Sequence, residues 1–181
     1  MHHKRPTDLM TDEYPPYYAT YINEVPDLSL RSALDESAAL LKEWLIHLPE
    51  GGENYSYAEG KWTVKEVLQH IIDAERVFAY RALRIGRGDQ TPMAGFEQDD
   101  YVASVDLSKR PFRKMIDEFI TVRKATLNLF EGFIPDDFPR RGIASGGEFS
   151  VRAMGFIICG HVYHHIKLFK ERYQGAMQKN G

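Results

Sequence analysis

Apolar residues recur along this chain at steps of three and four, and no segment alternates convincingly at steps of two. In "DLSLRSALDESAALLKEWLIHL" the step links Leu30, Leu34, Ala38, Leu41, Leu45 and Leu48, the pattern of an amphipathic helix. The loop "PEGGENYSYAEGK" ends it. A second helix opens at "TVKE", where Thr63 can cap the first turn and Glu66 can reach back to it, and it stops near Gly86. A third begins near Ser108, takes Pro111 into its first turn, and places Phe112, Met115, Ile116, Phe119, Leu127 and Phe130 on one side. The last opens at Ser150 and runs through "VRAMGFIICGHVYHHIKLFKERY".

The connections add detail. "EYPPYYATYINEVP", rich in tyrosine and proline, reads as an ordered arm packed on the domain. "GRGDQTPMAGFEQDDYVASVD" is longer than the roughly 12–15 residues of ordinary connections, which makes it a candidate lid or site wall. "FPRRGIASGGEFS" predicts a short hairpin around Ser145-Gly146-Gly147. The expected fold is all-α: a four-helix bundle over residues 28–175, an N-terminal arm over 1–27, and a C-terminal tail over 176–181.

Composition narrows the function classes. The net charge is −3 and the basic residues are spread thinly, so the electrostatic footprint of a nucleic-acid binder is missing. No apolar run approaches the roughly 20 residues of a membrane span. "MHHKRPTDLM" lacks the apolar core of a signal peptide, and the single cysteine excludes an intrachain disulfide, so a cytoplasmic location is expected. His2 and His3 are set aside as terminal residues.

The chemistry concentrates in "CGHVYHH", residues 159–165. Each helical residue turns about 100°, so with His161 at zero, His165 lies at about +40°, Met154 at about +20°, Ile158 at about +60° and Leu168 at about −20°. The two histidines thus stand in the middle of the apolar face. His164 lies at its edge, Tyr163 faces away, and Cys159 is about 160° round, which rules out a cysteine–histidine pair on this helix. Imidazoles at i and i+4 pointing inward are either half of a metal site or two core histidines bonded to backbone or carboxylate groups. His70, in "KEVLQHIIDAERV", is the candidate third ligand or a structural histidine on the flank of its stripe. Glu66 and Asp73 lie on the same general side, and either orient a ligand and move protons or are solvated charges, with Glu66 in the cap.

"GKWTVKEVLQHIIDAERVFAYRALRIGRGDQTPMAGFEQDDYV", then "EFITVRKATLNLF", then "FSVRAMGFIICGHVYHHIKLFKERY" together resemble the DinB/YfiT-like superfamily, which couples a Trp-Thr-Val-Lys-Glu-x3-His block to a final His-x3-His block. The resemblance implies a four-helix bundle, a homodimer, and a divalent metal held by His70, His161 and His165, with His164 an extra neighbour. It also implies a metal-dependent enzyme acting on a small molecule, by hydrolysis or by transfer of a low-molecular-weight thiol such as bacillithiol or mycothiol. Three protein ligands leave a position open, the catalytic pattern rather than the closed structural one. Imidazole suits several metals, with zinc or nickel expected. Arg81 and Arg123 either bind a carboxylate of a thiol cofactor or are salt-bridge or helix-surface residues; Tyr14, Tyr17, Tyr18, Tyr21, Asp99 and Asp100 either wall the pocket or serve packing and turns. The competing reading is a non-enzymatic bundle that binds a ligand or partner, its metal site structural or vacant.

Overall fold

The computed structural model describes residues 5–178, so His2, His3 and residues 179–181 of the tail lie outside the described residues. A short helix α1 (Ala19–Ile22) ends the arm, and α2 (Leu30–Ile46) follows under the Ser29 cap, whose side chain accepts the Ser32 N–H. Thr63 and Glu66 form the capping box of α3 (Val64–Gly86). The long connection contains α4 (Gln98–Ala103) and leads to α5 (Phe112–Glu131). Strands β1 (Arg141–Ala144) and β2 (Gly147–Ser150) pair antiparallel, and α6 (Val151–Arg172) starts directly after them, with Ser150 accepting the Ala153 N–H.

The third long helix starts four residues later than the sequence suggests, at Phe112 with Pro111 as its N-cap. A residue before proline is driven out of the helical region, and Ser108 is held in a turn by Asp106, which accepts its N–H and hydroxyl. The hairpin turn is Ser145-Gly146, both with positive φ (50° and 76°), as a two-residue turn matching strand twist requires. Met93 bridges to Ala144 beside it, accepting the Ser145 N–H at 3.0 Å, so the long connection is tied to the hairpin.

The long helices form a ring in which α6 packs on α2 and α3, and α5 packs on the same two. Consecutive helices α2 and α3 therefore stand at opposite corners, as do α5 and α6. That order makes α3 and α6 neighbours. Two apolar clusters fill the interior, one including Ala74, Phe78, Ile157 and Ile158, the other Val67, Ile71, Val162 and Ile166.

α6 is not the one-faced helix its pattern suggests. Covered by α1, α2 and α3, it is buried nearly all round, and Tyr163, on the side away from His161, meets Glu36 of α2 through its hydroxyl. Gly160 permits the contact with α1: a Cβ there would lie 2.3 Å from the Tyr21 carbonyl oxygen.

The arm is clamped to the start of α6 by Glu13, which is buried and receives hydrogen bonds from the Arg152 guanidinium, the Ser150 hydroxyl and the Met10 N–H. Burial alone would raise the Glu13 pKa, but Arg152 and the other donors outweigh it and hold it below its ordinary value of 4.5. A depressed folded-state pKa means that the clamp's stabilisation is complete above about pH 4.5 and is lost as pH falls through the folded value. Glu13→Gln is expected to cost about 1–3 kcal/mol at pH 7. In urea unfolding, its difference from the wild type should shrink progressively below about pH 4.5.

Candidate metal centre

His70 projects from the N-terminal third of α3, and His161 and His165 from successive turns of α6, at the junction of the two apolar clusters. All three are buried, and their Nε2 atoms converge. His161 Nε2 lies 2.9 Å from His70 Nε2 and 3.0 Å from His165 Nε2. Among the described residues these three form the one cluster that could hold a metal ion, with one donor atom of each within 4.8 Å of the others. Rings pack around them: Tyr21 of α1 meets His161 edge-on at 5.2 Å between centroids, and Trp62 lies 5.0 Å from His70.

Mutual hydrogen bonding does not satisfy this arrangement. A neutral imidazole nitrogen offers either one N–H or one lone pair, so His161 Nε2 cannot make a well-formed hydrogen bond to both neighbours. A divalent ion resolves the conflict by accepting all three lone pairs. Bonds of about 2.0–2.1 Å place tetrahedral neighbours about 3.3 Å apart, close to the spacings found. The protonation state fits as well. Burial, then the charge His164 can carry, lowers the His70 pKa to about 4; burial, then the neighbouring histidines, pushes His161 and His165 well below 6.5. All three are neutral near pH 7, the form that binds metal. His165 Nδ1 is buried without a partner among the described residues, so packing rather than a hydrogen bond sets that ring.

Two pockets open beside the cluster. One, of about 230 Å³, reaches His70 and His161 between Tyr17, Tyr18, Tyr21, Phe78 and Phe96. The other, of about 360 Å³, reaches His165 beside Trp62 and Tyr173. Gln98 and Asp99, at the start of α4, line both, so the long connection forms a wall of the site. Tyr14 and Asp100 are not among the residues lining either pocket.

The remaining candidates are placed differently. Glu66 is held in the capping box, its carboxylate accepting the Thr63 N–H at 2.7 Å and hydroxyl at 2.8 Å. Asp73 accepts from Gln69 and faces Arg76, so neither acid is directed at the histidines by these bonds. Arg123 lines neither pocket and takes the salt-bridge alternative. Its guanidinium forms a buried two-bond pair with Glu75, at 2.8 and 2.9 Å, and also donates to Ser37 and the Leu34 carbonyl. Arg81 is buried too, but adjoins the aromatic pocket through Phe78 and Phe96. Cys159 is fully buried against the Gly155 carbonyl, its thiol pushed up to about 12 chiefly by burial, which makes it a packing residue. Sequence reasoning missed Trp62, Phe96 and Ser145 as site residues, since only tertiary packing brings them there.

The family model of the DinB superfamily matches residues 33–169, which spans all four long helices. The chain belongs to the DinB superfamily. The superfamily fold is also found in YfiT from Bacillus subtilis, described as a probable metal-dependent hydrolase with an unusual four-helix bundle topology. That structure is similar with a TM-score of 0.69, over 78% of this chain and 82% of its own, at 18% identity. No curated protein matches the sequence. Among the described residues, no helix is long and apolar enough to cross a membrane.

Proposed function

We propose that the protein is a metal-dependent enzyme acting on a small molecule, with His70, His161 and His165 holding a divalent ion, zinc or nickel, and the aromatic pocket receiving the substrate. The convergence of three neutral, buried Nε2 atoms, with His70 and His161 lining the aromatic pocket, carries this reading. Three ligands leave a coordination position free, where a bound ion would polarise a substrate oxygen and lower the pKa of water or a thiol. The chain's own residues supply the setting: Tyr21 and Trp62 fix the imidazole planes, Phe78 and Phe96 exclude water, and Asp99 brings a carboxylate to both pockets.

Hydrolysis is the leading reaction, in keeping with the description of YfiT. Transfer of a low-molecular-weight thiol is the second reading, and the engagement of Glu66 and Asp73 elsewhere favours it. A thiol held as thiolate by a cation needs no adjacent base. Zinc- or nickel-loaded protein is expected to turn over aryl esters or, with added bacillithiol or mycothiol, an aryl halide. Turnover should vanish on metal removal and in His70→Ala. Metal-loaded protein inert in both assays would favour the non-enzymatic bundle and overturn the proposal.

A further inference from the structure

α3 carries a second polar residue along the pocket side. His70, Ala74, Phe78 and Arg81 follow one another at helical steps, placing Arg81 about 16 Å along the axis from His70. Arg81 is 2% exposed, and among the described residues it has no carboxylate partner. Its Nη2 donates to the Ala94 carbonyl at 2.9 Å and to Ser145 Oγ at 2.8 Å, while Nη1 is buried without a well-formed hydrogen bond among the described residues. Arginine remains charged at neutral pH, and a buried charge without a counter-ion is costly.

The groups between this charge and the pocket are hydroxyls. Ser145 lines the pocket, and because its Oγ accepts from Arg81, its own O–H remains available to donate. Tyr18 also lines the pocket, and its hydroxyl interacts with the Arg81 guanidinium by charge and by hydrogen bonding. Phe78 and Phe96 flank the guanidinium, each ring centroid 5.7 Å from it, and complete a dry wall. Ser145 is held at φ 50°, a left-handed conformation that glycine adopts more readily, so the position keeps a hydroxyl where the backbone favours none.

We propose that Arg81, Ser145 and Tyr18 form an anion-binding subsite at the end of the pocket opposite the histidines, and that it receives a carboxylate of the substrate. Glu97 and Asp99 also line this pocket, so the attraction for an anion is confined to the Arg81 end. There one positive charge matches a monoanion, and the aromatic walls suit an aryl or alkyl body reaching towards the histidines. Ser145 and Tyr18 contact the anion; Arg81 is a positioning residue that polarises them. The assignment to a substrate rests on the metal-dependent reading above, whereas the anion site does not require it.

The test is calorimetric titration of the full-length protein, metal-stripped and zinc-loaded, with phenylacetate and its neutral counterpart phenylacetamide. Phenylacetate is expected to bind metal-stripped protein at least about tenfold more tightly than the amide, the scale of a charge-assisted hydrogen bond. Arg81→Gln should abolish that preference and Arg81→Lys should retain much of it, which a merely structural arginine would not produce. Ser145→Gly should weaken phenylacetate about tenfold without lowering the melting temperature, because glycine tolerates this φ. Equal binding of acid and amide, no binding of either, or a preference seen only with zinc and unaffected by Arg81→Gln and Ser145→Gly would each overturn the proposal. Loss of metal binding with the acid preference intact would instead count against the metal reading alone.

Discussion

Replacing His161 with alanine is expected to weaken zinc or nickel binding by more than about a hundredfold, since loss even of an outer-shell partner costs about 10–100-fold. His161 supplies the central nitrogen, within 3.0 Å of those of the other two histidines, so its removal leaves two imidazoles on different helices. Wild type should take up one equivalent per chain, and metal at a thousandfold excess over Kd should stabilise it by about 4 kcal/mol. The variant should show neither effect. His164→Ala is the matched control, because His164 packs on Tyr21 at the edge of the cluster and supplies no converging nitrogen. Titration calorimetry and thermal unfolding with and without metal measure both effects.

Arg123→Met is expected to destabilise the fold by about 3–5 kcal/mol, because it strands the Glu75 carboxylate in the interior. Both side chains of the pair are 2% exposed, and the arginine also joins α5 to α2 through Ser37 and Leu34. The penalty belongs largely to the stranded partner, so the double variant Arg123→Met with Glu75→Met should recover much of the loss. Urea unfolding at pH 7 checks this. Metal stoichiometry of any folded Arg123→Met protein should equal that of wild type, consistent with a role in the core. A loss below about 0.5 kcal/mol would contradict the structural assignment.

Local signals made the helix boundaries legible. Thr63 with Glu66 and Ser150 before Val151 are caps whose partners lie three residues away, so the sequence contains the whole interaction. The inward direction of His161 and His165 follows likewise from helical rotation. Features with distant partners were not legible. Glu75 and Arg123 are 48 positions apart, and nothing in either segment marks the pairing. Gly160 looks like an ordinary mid-helix glycine until the arm is seen crossing it. Ser145 reads as a turn residue because Arg81, 64 positions away, is what gives its hydroxyl another role. The near-complete burial of α6 depends on the ring order of the helices, which periodicity does not encode. His70 is intermediate: its flank position left it ambiguous, and the paired histidine blocks of the superfamily pattern singled it out.

The most direct test of the three-histidine site is anomalous diffraction from crystals of protein loaded with zinc or nickel, recorded on both sides of the metal's absorption edge. One strong edge-specific peak is expected within bonding distance of Nε2 of His70, His161 and His165 together. A fully loaded crystal with its only peak elsewhere, or bonded to His161 and His165 without His70, would contradict it.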